Sequence, residues 1–535
     1  MELQSSSLCI RKNWVIFLSL LYLALPNIIM MMAWVKPIPA CLIIIGIIAS
    51  LIYYAVTQLK SEAGRFIPLT QKNAWLLLLT VLLVSMPFIH DGLVGLFTTG
   101  YDYHVSRQAY YSNLVDAPWP VIYPDGSTVT YYIGMFLPPA LICRLLSISP
   151  GYGCIAAQYV MLAWIVLGLT LSLLLIFTQR RRISILFVFF FVFLGDPILM
   201  MWGTQAGNAA IQWVADSLTS FTGLDCGIMN WHTSRFALFS LAQSAGCYTS
   251  NIPLLLTISI LLNVRRERNF VIPLTISMIF LLSPFGVLGC LPFALMTYDF
   301  SGILKKGGAL RSTVYMLLPL AMAVVAYTYY SRTDVFFSTS DGRTTIVSTV
   351  YAIHGFKGVL FVFMGVIIPA LLMFFPLWRT IRFSRIAIIA MVCIIVVSQI
   401  WMGGVICRLN ELWLKTSPMY TFVLLIYLAY TWKRLGADKY IPITVSAVMC
   451  VCFAFSCFLV YTGQSYVEDD CNGHLYHVHR DSINVKKDLV EGLLYTESGE
   501  SEKNFPGCIL PRAHGCDYTR PLLRPVNEFI LKETK

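Results

Sequence analysis

The side chains best suited to chemistry lie in a polar stretch that interrupts an otherwise apolar chain. Asp91, Asp102, His104 and Arg107 fall within residues 91–130, which contain the sequence GYDYHVSRQAYYSNLVDAPWP. A carboxylate can take a proton from a hydroxyl group as a general base, and an arginine can hold a phosphate through two parallel hydrogen bonds. Asp102 is therefore a candidate base and Arg107 a candidate phosphate-binding residue, and Asp91 is a second carboxylate in the same stretch.

Each of these residues also has a structural interpretation that stays open. Residues 101–115 lack Gly and Pro, and their tyrosines and Arg107 recur at helical spacing, which predicts an amphipathic helix at a membrane interface. Thr99 and Asp102 have the spacing of a capping box, so Asp102 could cap this helix instead of acting as a base. Arg107 and His104 could be ordinary interfacial side chains.

Further candidate substrate-binding residues lie elsewhere in the chain. They are Arg235, within the polar segment 202–246, and Arg408, Glu411 and Lys415, between the apolar runs 386–406 and 417–432. An arginine makes a planar, bidentate contact with a phosphate, whereas a lysine supplies a point charge. We therefore expect Arg107 and Arg408 to bind a phosphate more effectively than Lys415.

No metal site or cofactor is predicted with certainty. The tail at 462–535 brings together four possible ligands, Cys471, His474, His477 and His479, at a spacing that matches no closed zinc site. A divalent cation accompanying a phosphate is an open alternative. Of the fifteen cysteines, Cys508 and Cys516 could form a disulfide if the tail lies outside the cytoplasm.

The composition predicts how these polar segments are held. Of 535 residues, 57% are apolar or aromatic and only 12% are charged, so we expect an all-α polytopic integral membrane protein. Crossing the hydrocarbon layer takes about 20 apolar residues. About eleven runs qualify: 14–34, 38–59, 74–90, 151–177, 183–201, 247–263, 312–330, 355–377, 386–406, 417–432 and 440–461.

The positive charges predict the orientation of these spans. Most lysines and arginines between spans fall on one side when the N-terminus is cytoplasmic, so the net charge of +11 reflects topology and not nucleic-acid binding. The polar segments 91–130, 202–246, 331–354 and the tail then all lie on the non-cytoplasmic side of a plasma (inner) membrane. We divide the chain into two N-terminal spans (1–73), a membrane core (74–461) and the tail.

Two further apolar segments are predicted to be re-entrant or interfacial. Residues 131–148 contain Pro138-Pro139, and residues 270–298 contain Ser283-Pro284-Phe285-Gly286, both of which predict helix breaks. Broken helices at membrane depth need protein or a water-filled cavity around them. A kinked, ordinary span is the alternative for each.

Three stretches resemble bacterial polytopic glycosyltransferases of the GT-C fold, a class that includes protein O-mannosyltransferases and lipid A aminoarabinose transferases. They are the first polar loop with PWPVIYPDG and TYYIGMFLPPAL, then LLSPFGVLGCLPFAL at 281–295, and RLNELWLKTSPMYTFVLLIYL at 408–428. The resemblance extends from about residue 74 to 440. Asn410-Glu411 and Lys415 stand where the class leads us to expect an Asn-Asp pair and an arginine.

The resemblance implies a GT-C-like helical bundle that transfers a sugar from a polyprenyl-phosphate donor to an acceptor hydroxyl on a glycan, lipid or protein. It assigns the role of general base to Asp102. Two other functions stay open: a transporter or flippase of a lipid-linked glycan, and a glycan polymerase or ligase. Few charges are expected inside the spans, which favours an enzyme over a transporter.

Overall fold

A computed structural model describes the helical core of the protein and parts of its connections. The described residues are 8–59, 66–69, 71, 74–79, 81–82, 111, 114–115, 118–121, 128–129, 132–148, 155–180, 251–264, 270–302, 307–330, 345–367, 370–371, 385–404, 411–431 and 512–513. This part of the chain is mostly helical.

The described helices vary widely in length. They are α1 Lys12–Trp34, α2 Pro37–Tyr54, α3 Leu137–Leu145, α4 Ile155–Arg180, α5 Asn251–Leu261, α6 Val271–Ile279, α7 Pro284–Thr297, α8 Gly308–Tyr330, α9 Val350–Val362, α10 Arg385–Val397 and α11 Glu411–Thr431. Single π turns, Ala55–Leu59 and Phe363–Ile367, extend α2 and α9, and a 3₁₀ turn, Ile133–Phe136, leads into α3.

Four helical segments in this part of the chain are long and apolar enough to cross a bilayer. They are Lys12–Trp34, Pro37–Leu59, Tyr159–Phe177 and Gly308–Tyr330. They correspond to the predicted runs 14–34, 38–59, 151–177 and 312–330. The predicted runs 183–201 and 440–461 lie outside the described residues.

Helix α1 lies at the centre of the packing, since it contacts α2, α3, α4, α5 and α6. On its buried side, the Tyr22 ring stacks on Trp164 of α4 at 4.0 Å, and the Tyr22 hydroxyl donates to the Trp164 carbonyl at 3.1 Å. Gly168 of α4 permits this approach, because a Cβ there would lie 2.6 Å from the Tyr22 hydroxyl. Helices α2 and α8, by contrast, are mostly exposed and present large aliphatic side chains outward. Such a surface suits contact with lipid chains.

Three short antiparallel strand pairs join distant parts of the sequence. They are β1 Leu8–Arg11 with β2 Phe66–Leu69, β3 Thr128–Val129 with β6 Arg512–Ala513, and β4 Thr345–Thr349 with β5 Ile400–Gly404. The β4–β5 pair aligns Val347 with Met402, immediately before α9 and after α10. The fold is therefore helical with small strand pairs, and not purely α.

The predicted span 386–406 is wrong in its second half. Helix α10 ends at Val397, and Ile400–Gly404 forms strand β5. The β-branched and aromatic residues Ile400 and Trp401 suit a strand, and pairing with β4 supplies the backbone hydrogen bonds that continued helix would have made. The run was apolar throughout, so hydropathy did not separate the helix from the strand.

The predicted break at Pro138-Pro139 is also wrong. The 3₁₀ turn Ile133–Phe136 runs directly into α3, with both prolines in the first α-helical turn. Backbone N–H groups in a first turn have no partner within the helix, so proline is tolerated there. The result is one helical segment of 13 residues, Ile133–Leu145, which is shorter than the usual span.

The predicted break in 270–298 is confirmed as a joint between α6 and α7. Ser283 is extended and caps α7, its hydroxyl accepting from the Gly286 amide at 3.1 Å, and Pro284 occupies the first helical position. Both halves pack against α5, but their main partners differ: α6 packs mostly against α8, and α7 mostly against α11.

Candidate functional site

The candidate site is built around Lys415, the only charged side chain among the fully buried residues that the structure describes. It lies in the second turn of α11 with 0% of its surface exposed. Its ammonium nitrogen is 5.0 Å from the centroid of the Tyr132 ring, within the range of a cation–π contact. Ionisable groups inside apolar helical packing are expensive to bury and usually functional, so Lys415 marks the site.

Two tyrosines connect Lys415 with the joint between α6 and α7. The Tyr132 ring, just before the 3₁₀ turn, lies 5.8 Å from the ring of Tyr330 at the end of α8. The Tyr330 hydroxyl donates to the Leu281 carbonyl at 2.7 Å. A continuous contact path thus runs from the buried cation through two aromatic rings to the joint.

Side chains from neighbouring helices hold the backbone carbonyls at this joint. The amides of Leu282 and Ser283 both donate to the Ile279 carbonyl, at 3.1 and 2.8 Å, which interrupts the regular helical pattern. The Asn27 side chain of α1 donates to the Met278 carbonyl at 2.7 Å. Asn27 and Tyr330 thus donate hydrogen bonds to backbone carbonyls that lipid chains could not satisfy. A helix break inside a membrane requires such partners.

Small residues bring the surrounding segments close to each other. A Cβ on Gly134 would overlap the Leu282 side chain, so the 3₁₀ turn lies directly against the joint. A Cβ on Gly289 of α7 would overlap Met419 of α11 and lie 2.7 Å from Thr416. On the same face, the Cys290 thiol contacts the Met419 sulfur at 3.2 Å. These contacts fix the first turns of α11, and hence Lys415, against α7.

Polar groups accompany the cation along α11. Thr416 is fully buried and its hydroxyl donates to the Leu412 carbonyl at 2.7 Å. The Ser417 hydroxyl is buried without a hydrogen-bond partner among the described atoms. Pro418 has no backbone N–H, so it cannot donate the usual helical hydrogen bond to the Leu414 carbonyl. These buried polar groups lie within three residues of Lys415 along α11.

The sequence predicted that Lys415 lies in a loop between two spans, and the structure shows that this is wrong. Helix α11 begins at Glu411, six residues before the predicted run at 417–432. The charge of Lys415 ended the apolar run, although Leu412 and Trp413 already face the core. Glu411 is the first helical residue, where a carboxylate is favourable to the helix dipole.

The remaining predicted site residues lie outside the described part of the chain. They are Asp91, Asp102, His104, Arg107, Arg235 and Arg408, and with them the tail cysteines and histidines. Glu411 is described only as the start of α11. Among the described residues, no group of three or more His, Cys, Asp or Glu side chains could hold a metal ion.

The end of the first polar loop is buried more deeply than an interfacial helix predicts. Tyr111 is 3% exposed, and its hydroxyl donates to the Ala157 carbonyl of α4 at 2.9 Å. Leu114 is 1% exposed, and its carbonyl accepts from the Trp119 indole at 2.8 Å. This part of the loop packs into the helical core.

Sequence reasoning missed Tyr132 and Tyr330, which surround the site. Both belong to tyrosine pairs at the ends of apolar segments, Tyr131-Tyr132 and Tyr329-Tyr330, where tyrosine is common in membrane proteins whatever their function. Their pairing joins segments far apart in the chain, which spacing alone does not reveal.

The three stretches that carry the GT-C resemblance meet at this site. Tyr132 and Gly134 come from TYYIGMFLPPAL, Leu281 and Leu282 from LLSPFGVLGCLPFAL, and Lys415 from RLNELWLKTSPMYTFVLLIYL. In comparisons with known proteins, no family model, no curated protein and no solved structure matches the chain.

Proposed function

We propose that the protein is a membrane glycosyltransferase of the GT-C type, which moves a sugar from a polyprenyl-phosphate donor to an acceptor hydroxyl. The observation that carries this proposal is the complete burial of Lys415 over Tyr132 at the meeting point of the three stretches. Ionisable side chains among apolar helices are usually functional, and a cation can stabilise the phosphate of a lipid-linked donor, whose apolar chain suits such a place.

The proposed reaction is a single displacement that inverts the anomeric carbon. Asp102 takes the proton of the acceptor hydroxyl, and the hydroxyl oxygen forms a bond to the anomeric carbon. The bond from that carbon to the phosphate oxygen breaks, and the phosphate leaves with the electron pair. Lys415, with Arg107 and Arg408, stabilises the negative charge on the departing phosphate. Asp91 is the competing base, and His104, Arg235 and Glu411 contribute to substrate binding.

We further propose the membrane arrangement that this reaction needs. The chain has about eleven spans in a plasma (inner) membrane, a cytoplasmic N-terminus, and its polar loops and tail on the non-cytoplasmic face. The donor then arrives through the outer leaflet, and the acceptor is a glycan, lipid or protein. The exposed aliphatic surfaces of α2 and α8 support contact with the bilayer.

The joint between α6 and α7 favours a second candidate, a transporter or flippase of a lipid-linked glycan. Transporters bind substrates beside interrupted helices within the membrane, and the joint lies one tyrosine pair away from Lys415. Both functions use a buried cation for a phosphate, so only the fate of the sugar separates them. A glycan polymerase or ligase would use the arginines without Asp102.

Transfer of radiolabelled sugar by the purified protein tests the enzyme proposal. Wild-type protein should move label from a polyprenyl-phosphate sugar to an acceptor. Asp102→Asn should abolish transfer, and Lys415→Met should lower it about 100-fold, the usual effect of removing a group that stabilises developing charge. Lys36→Met, at a partly exposed lysine, is the matched control and should leave transfer unchanged.

The same preparations in proteoliposomes distinguish the alternatives. Movement of intact labelled lipid across the bilayer without cleavage would support the transporter and contradict the enzyme. Transfer that survives Asp102→Asn but not Lys415→Met would remove Asp102 from the base role.

A further inference from the structure

A second cationic region lies at the far end of the helix that follows Tyr132. Arg144 is in the last turn of α3, exposed, with its guanidinium 4.9 Å above the centroid of the Trp119 ring. Trp119 in turn lies 5.8 Å from Trp34, at the end of α1. Lys36 follows two residues after Trp34 and is partly exposed. We call Lys36, Trp34, Trp119 and Arg144 the tryptophan patch.

The tryptophan patch combines cations, indole rings and exposed aliphatic side chains. Leu145 and Leu146, beside Arg144, are 75% and 64% exposed, and Ile38, beside Lys36, is 77% exposed. Exposing such apolar side chains to water is energetically unfavourable, whereas at a membrane surface they enter the hydrocarbon layer. Trp34 is 5% exposed and packs against Trp119, so the partly exposed Trp119 is the indole that can lie at the level of the lipid head groups, toward which arginine extends its charge.

The end of α3 leaves the Arg144 guanidinium available to a ligand. The amides of Leu146 and Ile148 donate to the carbonyls of Ile142 and Cys143, both at 2.9 Å, and Ser147 adopts a left-handed conformation with φ of 51°. The final carbonyls of the helix are therefore satisfied by backbone amides, and Arg144 need not cap them. The Arg144 guanidinium lies over the Trp119 ring, and no salt bridge of Arg144 or Lys36 is found among the described residues.

We propose that the tryptophan patch binds the head-group phosphate of an anionic phospholipid. The guanidinium over Trp119 can offer two N–H groups to one phosphate, while Lys36 adds a second charge. Ile38, Leu145 and Leu146 contact the acyl chains of the same lipid. A lipid with a phosphate and no amine is favoured over a zwitterionic one because the described patch carries only positive charge. The proposal is independent of the proposed transfer reaction.

Native mass spectrometry of the purified full chain tests this binding, with phosphatidylglycerol as the probe. Each arginine near a membrane surface contributes about 1 kcal/mol, so Arg144→Gln should weaken phosphatidylglycerol binding about 5-fold. Arg144→Lys should lose less, and Trp119→Leu should weaken binding because the guanidinium is no longer held. Arg385→Gln is the matched control, since Arg385 is also an exposed arginine at a helix end, and no cation–π contact of Arg385 is found in the part of the chain that the structure describes.

Four results would overturn the proposal. These are unchanged phosphatidylglycerol binding in Arg144→Gln, an equal loss in Arg385→Gln, equal affinity for phosphatidylcholine, and displacement of the lipid by glycerol phosphate at matching concentration. The last would assign the patch to a soluble phosphate. Thermal unfolding of each variant in detergent confirms that the exposed substitutions leave the fold intact.

Discussion

The ammonium of Lys415 lies 5.0 Å from the centroid of the Tyr132 ring, which joins the segment leading into α3 to α11, the last described helix. Lys415 is fully buried and Tyr132 is 2% exposed, so their contact is shielded from water. Shielding strengthens a cation–π interaction, because the ring then replaces solvent around the charge. The contact brings two motifs together in space and orients the cation.

The strength of this contact can be measured with a double-mutant cycle. We expect Tyr132→Leu and Lys415→Met to show a coupling energy of about 2 kcal/mol in the free energy of unfolding, as for a desolvated cation–π pair. Unfolding in mixed micelles titrated with SDS provides the measurement. Pairing Tyr132→Leu with Lys36→Met should give no coupling, and a coupling near zero for both pairs would contradict the contact.

Replacing Asn27 should destabilise the joint between α6 and α7. Asn27→Leu removes the donor to the Met278 carbonyl and leaves that group unsatisfied, at an expected loss of about 1 kcal/mol in the free energy of unfolding. Ser19→Ala on the same helix is the control, because Ser19 bonds only the Val15 carbonyl of its own helix. Equal losses in both variants would mean that the bond to Met278 does not stabilise the joint.

The approach of α7 to α11 should depend on Gly289. A Cβ there would overlap Met419, so Gly289→Ala should lower the free energy of unfolding by about 1–3 kcal/mol, as overpacking usually does. The control is Gly46→Ala in α2, where a Cβ would make an ordinary contact of 3.5 Å with Leu318. That change should be neutral or slightly stabilising because alanine favours helix. Tolerance of Gly289→Ala would contradict the close packing.

A disulfide can test the register of β4 and β5. Val347 and Met402 are opposite each other, so the pair Val347→Cys and Met402→Cys should cross-link under mild oxidation. Mass spectrometry of tryptic peptides identifies the bond among the native cysteines. The offset pair Val347→Cys and Ile400→Cys should cross-link poorly. Efficient linkage of the offset pair, or of neither, would contradict the strand pairing and restore a helix through 386–406.

Hydropathy predicted the long helices because about 20 consecutive apolar residues can cross the hydrocarbon layer, where a helix satisfies the hydrogen bonds of its own backbone. The joint at Ser283-Pro284 was also predictable, since a serine cap and a proline in the first turn are local signals. Local chemistry was misleading at Pro138-Pro139, where the same residue type begins a helix. The difference lies in the preceding residues, which form a 3₁₀ turn against Leu282.

The site itself depended on contacts that local patterns do not contain. The residue type of Lys415 identified it as a candidate substrate-binding residue. Its charge also lowered the local hydropathy, so the predicted span began after it and Lys415 was placed in a loop. Tyr132, Tyr330 and Leu281 converge through tertiary packing alone. Strand β5 likewise requires β4, which lies far away in the sequence.

The joint at Phe280–Ser283 divides one apolar segment between two packing environments. Its first half is tied to α1 through Asn27 and packs on α8, while its second half, α7, packs against α11, the helix that carries the buried lysine. Leu281, within the joint, accepts a hydrogen bond from Tyr330, whose ring lies beside the Tyr132 ring that contacts Lys415. The helix break is therefore structurally linked to the buried cation.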